Sequence, residues 1–221
     1  MTRRGNVLDD SWYLDYAAGN LESKAHDVIM ASHVELSDEA RQRVDTLERV
    51  GAALMGQKTA SGETLGFDVD DILRRDWEEV VDAVPVPAND TDPDLPLPAP
   101  LTDWMGETGT KVKWSFLGPG LSKAVLWRGP RGQRLWLLRA QPGVSIPHHG
   151  HNGSELTLVL KGSFWDGETQ YKPGDLEEAH AGVAHDIRID EAGECVCLAL
   201  TEGKLRFDNP LLRVFQLFTG L

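Results

Sequence analysis

The chain has 221 residues, a net charge of −13 and 41% hydrophobic residues. A chain this acidic disfavours direct binding to nucleic acid, and no apolar run approaches the ~18 residues that can cross a bilayer. The first ten residues, MTRRGNVLDD, lack the apolar stretch of a secretory signal. We therefore expect a cytoplasmic protein that has enough apolar side chains for one large or two small domains.

Four amphipathic patterns predict helices within the first 84 residues. They cover residues 9–19, residues 21–35, a segment beginning at Ser37, and residues 68–84. In each segment apolar side chains recur at spacings of three and four, which is typical of one buried helix face. Helices this short cannot bury such a face alone, so we predict that they pack as a small bundle or against a partner.

Residues 85–102 contain six of the twelve prolines, a density at which we expect no regular element. We predict a semi-rigid linker there, between a helical domain at 1–84 and a second domain at 103–221. From residue 103 onward, eight or so short strand patterns alternate with Gly, Pro or acidic turns, which suits a closed barrel. The predicted fold is α+β with two domains, and the apolar end at 209–221 would pack on the barrel or support a homodimer.

One strand pattern carries three residues that can bind a metal ion. His149 and His151 are two residues apart, so on a strand they share a face, and Glu155 follows after a turn. A fourth candidate, His185, follows the glycine at position 182. Imidazole and carboxylate groups are ligands for divalent transition metals, so we predict one metal ion here, zinc first, with iron, manganese or nickel as alternatives.

The spacing G-x₅-H-x-H-x₃-E-x₆-G, followed by G-x₂-H, resembles the two metal motifs of the cupin superfamily. The second motif is partial, because His180 stands where proline is usual and Ile189 where asparagine is often found. The resemblance implies a small antiparallel β-barrel with the metal inside. It also implies a ligand set of His149, His151, Glu155 and His185.

Other residues near this pattern have simpler interpretations. Cys195 and Cys197 form a C-x-C pair on an apolar strand, and we interpret them as buried small side chains, with redox sensing as the alternative. His148 and His180 are interpreted as neighbours of the site rather than ligands.

Over nearly its whole length the chain resembles the ChrR family of zinc-dependent anti-sigma factors. The resemblance is carried by LDYAAGNLE, HVELSDEAR, HGHNGSELTLVLKGSF, YKPGDLEEA, CVCLALT and LRFDN. It implies that the helical domain sequesters an extracytoplasmic-function sigma factor. It also implies that the cupin domain releases that factor on exposure to singlet oxygen or related oxidants.

The helical domain departs from the family's zinc motif, H-x₃-C-x₂-C with a further N-terminal His. Here His33 keeps the first position, Ser37 and Ala40 replace the cysteines, and the N-terminal segment has no His. We therefore predict no zinc in the helical domain, and a His33 that interacts with the C-terminal dipole of its helix. Either packing replaces the zinc, or the domain has lost sigma binding.

Two alternative functions remain open. The chain could be a metal-dependent cupin enzyme of the dioxygenase type, or a cupin that binds a small acid. For an enzyme, Glu168, Glu177 and His180 are candidates only through their proximity in sequence, and we assign no catalytic residue. We expect regulation through a sigma factor rather than catalysis.

Overall fold

A computed structural model describes residues 8–57, 95–130, 132–151, 153–180, 184–203 and 205–207. The fourth predicted helix at 68–84, most of the predicted linker and the apolar end at 209–221 lie outside these residues. The described helices are α1 (Asp10–Ala17), α2 (Lys24–Leu36), α3 (Asp38–Gln57) and α4 (Ala99–Thr108). None of them is long and apolar enough to span a membrane.

The first three helices begin and end close to the predicted positions, because their capping residues are encoded locally. Asp9 caps α1, accepting a hydrogen bond from the Ser11 backbone N–H at 2.9 Å. Ser37 caps α3, since its hydroxyl accepts a hydrogen bond from the Ala40 N–H at 3.3 Å. The predicted apolar face of α2 is buried.

Helix α4 corrects the prediction for residues 99–102 and for the residues just after them. Proline is tolerated in the first turn of a helix, where its missing N–H has no intrahelical partner, and Pro100 lies there. The Glu35 carboxylate accepts the N–H of Ala99 at 3.1 Å and so caps α4 from α2. Leu101 and Met105, four residues apart, are fully buried where α4 packs on α2.

Within the described residues eleven strands follow, and all their pairings are antiparallel. They are β1 (Ser115–Gly118), β2 (Leu121–Arg128), β3 (Arg134–Ala140), β4 (Ser145–His151), β5 (Glu155–Lys161), β6 (Phe164–Asp166), β7 (Thr169–Tyr171), β8 (Leu176–Ala179), β9 (Ala184–Ile189), β10 (Cys195–Thr201) and β11 (Leu205–Phe207). The strand patterns at residues 155–165 and 170–179 were each predicted as one strand, but each contains parts of two strands. The first divides at Gly162 and the second at a turn containing Gly174, and both glycines have positive φ.

The strands form two sheets. One has the order β1-β2-β3-β10-β5-β8, and the other β11-β4-β9-β6-β7. Their inner faces pack on each other in a core that includes Val159, Phe164, Ile187 and Cys197. The outer face of the six-stranded sheet carries a row of buried leucines that share one core with the four helices. The α+β prediction is confirmed, with the helices covering one outer face of the cupin sheets.

Candidate metal centre and helical interface

The backbone register brings two predicted metal ligands opposite each other. His149 on β4 pairs with His185 on β9, although the two are far apart in sequence. Between Ile146 and His149, β4 has one residue more than β9, which is the signature of a β-bulge. On its other edge β4 pairs with β11, where Leu205 lies opposite His151. The prediction did not include β11.

Glu155, the predicted carboxylate ligand, is the first residue of β5. Its backbone lies between Thr201 of β10 and Ala179 of β8. The side chain is 9% exposed, and its Oε1 accepts a hydrogen bond from the Thr157 hydroxyl at 3.2 Å. A carboxylate buried to this extent is costly unless a cation or hydrogen bonds stabilise it, so its environment suits a metal ligand.

The cysteine pair lies on the same inner face as Glu155. Cys195 and Cys197 are both buried, and their Sγ atoms are 3.6 Å apart. The hydrogen bond with Cys195, together with burial, raises the pKa of Cys197 well above its usual value. At neutral pH this thiol stays protonated and is a poor nucleophile, which favours the interpretation as buried small side chains over redox sensing.

The three residues considered for catalysis do not form a group. Glu168 is exposed in the turn between β6 and β7. His180 is 65% exposed just after β8, and its Nδ1 lies 3.6 Å from Glu178 Oε1. Glu177 is buried on β8 opposite Thr157, on the face that Glu155 shares. Only Glu177 is close to the predicted metal ligands.

His33 in the helical domain has a role that the sequence did not reveal. Its Nδ1 donates a hydrogen bond to the backbone carbonyl of Gly174 at 2.8 Å, and its Nε2 accepts one from the Tyr13 hydroxyl at 2.9 Å. Burial lowers the pKa of His33, so the ring is neutral at pH 7. His33 lies in the last turn of α2, as predicted, but a neutral imidazole does not supply the positive charge that the C-terminal dipole favours, so the predicted dipole interaction was wrong.

At the two positions where the family zinc motif has cysteine, this chain has residues that suit the start of a helix. Ser37 provides the α3 cap described above. Ala40 is 1% exposed and packs in the core shared with the cupin sheet. Neither residue offers a thiolate, so this part of the fold is held by a cap and by packing.

A second contact joins the helices to the cupin sheet. The Trp12 indole N–H donates a hydrogen bond to Glu178 Oε1 at 2.8 Å, and Glu178 is only 5% exposed. Beside it the backbones approach closely, since a Cβ added at Gly174 would lie 2.7 Å from the carbonyl oxygen of Leu36. The apolar pattern of α1 predicted a buried face for Trp12, but nothing in the sequence identified Glu178 as its partner.

Comparison with known proteins supports the same two-domain organisation. The ChrR cupin-like domain family matches residues 105–204. An anti-sigma-E factor, ChrR from Cereibacter sphaeroides, is 36% identical over 220 residues, which cover 99% of each chain. This chain belongs to the ChrR family.

The fold also matches a solved structure of the family. That structure is Rhodobacter sphaeroides SigE in complex with the anti-sigma ChrR, and the match has a TM-score of 0.65 at 32% identity. It covers 90% of this chain and 99% of that chain, so the likeness includes helices as well as cupin sheets.

In this ChrR-family chain, the second half of α3 has an apolar face that the other described elements do not cover. Val50 is 52% exposed and Leu54 60%, and Met55 lies beside them at 71%. The predicted stripe of α3 is buried only near its start, at Ala40 and Val44. We call Val50, Leu54 and Met55 the α3 apolar face.

Proposed function

We propose that this protein is an anti-sigma factor that sequesters an extracytoplasmic-function sigma factor through its helical domain. The observation that carries the proposal is the full-length similarity to ChrR, which includes the helices as well as the cupin domain. A relative that matched only the cupin sheets would not support a sigma factor as partner. Sequestration of this kind takes place in the cytoplasm, where RNA polymerase is found.

The α3 apolar face is the proposed contact for the sigma factor. An exposed group of large apolar side chains on one helix is typical of a surface that packs against another helix. The net charge of −13 favours association with basic surfaces and increases the rate at which such a partner associates.

The proposed helical domain comprises residues 1–84 together with α4, because α4 packs on α2, and the cupin domain follows it.

In the cupin domain, His149, His151, Glu155 and His185 are proposed to hold one divalent metal ion, zinc first. The pairing of His149 with His185 and the burial of Glu155 support this ligand set. The bound ion would supply positive charge between the sheets and fix the relative positions of β4, β5 and β9. Oxidation of a ligand, loss of the ion or entry of a small molecule would change that arrangement.

A short path connects this site to the helices. Glu155 pairs with Ala179 on β8, and the preceding residue, Glu178, binds Trp12 of α1. On the same strand-and-turn unit, Gly174 binds His33 of α2. A shift of β8 relative to β5 would therefore change both contacts, and with them the packing of the helices that bind the sigma factor.

The binding proposal is tested by isothermal titration of the purified protein with each extracytoplasmic-function sigma factor of the same organism. We expect a one-to-one complex of submicromolar affinity. Absence of binding by calorimetry and by size-exclusion chromatography would refute the proposal.

The metal proposal has its own test. Elemental analysis of protein purified without added metal should show one metal ion fewer per chain in His149→Ala than in the wild type. The matched control is His148→Ala, which removes the neighbouring imidazole and should leave the metal content unchanged. Equal metal content in all three proteins would show that His149 is not a ligand.

A further inference from the structure

A second group of metal-ligating residues lies where the helices meet the end of β10. Glu22 lies just before α2, His26 lies in the first turn of α2, and Glu202 directly follows β10. One donor atom from each residue can be chosen so that all three lie within 4.8 Å of one another. His26 Nε2 and Glu202 Oε1 are 4.0 Å apart. That distance is too long for a hydrogen bond, and it lies just within the maximum of about 4.2 Å for two ligands that are each about 2.1 Å from a shared ion.

The imidazole of His26 is held in place from the helical side. The residue is 3% exposed, and its ring stacks on Trp12 with the ring centres 5.6 Å apart. The Ser23 hydroxyl lies 2.8 Å from Nδ1, which leaves Nε2 directed towards Glu202. Burial lowers the pKa of His26, so the ring is neutral at pH 7, as a metal ligand must be.

The carboxylate of Glu202 is held in place from the cupin side. Gln133, a buried side chain, donates a hydrogen bond to Oε1 at 2.8 Å, and the Ser154 hydroxyl donates one to Oε2 at 3.0 Å. Such outer contacts orient ligating carboxylates without using all of their lone pairs. Two side chains from different domains are thus fixed towards one point, with the more exposed Glu22 beside them.

We propose that Glu22, His26 and Glu202 bind a divalent transition-metal ion, such as zinc or manganese, that joins the helical domain to the cupin domain. One imidazole and two carboxylates suit these ions, and water would complete the coordination. This donor set shares no residue with the predicted cupin site or with the family zinc positions at Ser37 and Ala40. The two sites are linked through neighbouring residues, because Ser154, which binds Glu202, directly precedes Glu155 of the predicted cupin site.

The test is the zinc stoichiometry of the full chain by equilibrium dialysis at micromolar free zinc. The wild type should bind one ion more than Glu22→Gln and Glu202→Gln. The lost ion corresponds to a fall of at least about tenfold in zinc affinity at this site, and the exposed position of Glu22 leaves the fold of Glu22→Gln intact. Asp27→Asn is the matched control, since it removes one carboxylate beside His26 and should bind as the wild type does.

Cobalt provides a second measurement that reports on the ligand environment. Titration of the wild type with Co²⁺ should give visible absorption from two sites, and Glu22→Gln should lose the contribution of one of them. An unchanged stoichiometry and spectrum in both glutamate variants would overturn the inference. These results do not depend on sigma-factor binding, which is measured separately, so the two proposals can fail independently.

Discussion

The cupin sheets and the helical domain differ in the residues that they have at the positions where the family binds metal. In the cupin sheets, positions 149, 151, 155 and 185 carry residue types that can bind a metal ion. In the helical domain, Ser37 and Ala40 cannot bind zinc as thiolates, and His33 instead joins α2 to the cupin domain through Gly174. The comparison shows how a residue at a ligand position can be retained for a different purpose, namely a hydrogen bond between domains.

The largest expected effect tests whether the helical domain still binds a sigma factor. Val50→Asp combined with Leu54→Asp places two charges on the α3 apolar face. Because buried charges without partners are costly, we expect sigma affinity to fall by at least about 100-fold, or about 2.7 kcal/mol. Ala52→Asp is the matched control, because position 52 lies on the side of α3 opposite Val50 and Leu54, and calorimetry should give wild-type affinity for it. Equal loss in the control would mean that charge, and not this face, determines binding.

The next prediction concerns the close approach of α2 to the turn before β8. Gly174→Ala adds a Cβ at positive φ, 2.7 Å from the Leu36 carbonyl oxygen. We expect a loss of about 3 kcal/mol in the free energy of unfolding, measured in urea. Gly167→Ala is the control, since it also has positive φ but has nothing within 4 Å of the added Cβ. The free energy of unfolding of Gly167→Ala should fall by only about 1 kcal/mol. A similar fall in both variants would show that the close approach of Gly174 to Leu36 does not affect stability.

A smaller effect is expected at Ser37, the position of a missing cysteine. Ser37→Ala removes the hydroxyl that caps α3 and should lower the free energy of unfolding by about 1 kcal/mol. Ser37→Thr keeps a hydroxyl and should be nearly neutral. If Ser37→Ala were also neutral, the cap would not account for the serine at this position.

The smallest effect is the pH dependence that His33 contributes. Burial lowers its pKa below the ordinary value of 6.5, so the unfolded chain binds more protons than the folded chain as the pH falls below that value. This part of the stability is therefore present above pH 6.5 and is lost on acidification. Asp175 and Glu39 oppose the shift in pKa, and Arg43 adds to it.

Unfolding in urea at about pH 7 and about pH 5.5 measures this contribution. His33→Gln should lose less stability than the wild type between the two pH values. The comparison uses the change with pH, so any direct cost of the substitution cancels. An identical pH dependence in the two proteins would show that His33 does not remain neutral in the fold.

Local signals explain which parts of the fold the sequence predicted. Asp9 and Ser37 are caps encoded within a few residues of the helices that they begin, and those helices were predicted well. Helix α4 was missed because proline density normally breaks helices, whereas Pro100 falls in a first turn that Glu35 of another helix caps. That cap depends on tertiary structure and has no local signature.

The same distinction applies to the candidate site. His149 and His151 were recognised as a pair because their spacing matches the period of a strand, and their assignment as ligands remains a prediction. The bond from His33 to Gly174 and the bond from Trp12 to Glu178 could not be predicted, since each joins residues more than 140 positions apart. They depend on how the helices dock on the outer face of the six-stranded sheet.

The central claim, that the protein inhibits a sigma factor, is tested most directly by transcription in vitro. Core RNA polymerase, the sigma factor that binds this protein in the calorimetric titration and a promoter that depends on that factor are combined with increasing amounts of the purified protein. The account predicts that transcript yield falls to near zero at a one-to-one ratio of protein to sigma factor, and that the variant with aspartates at positions 50 and 54 has no effect. Undiminished transcription in the presence of excess wild-type protein would contradict the account.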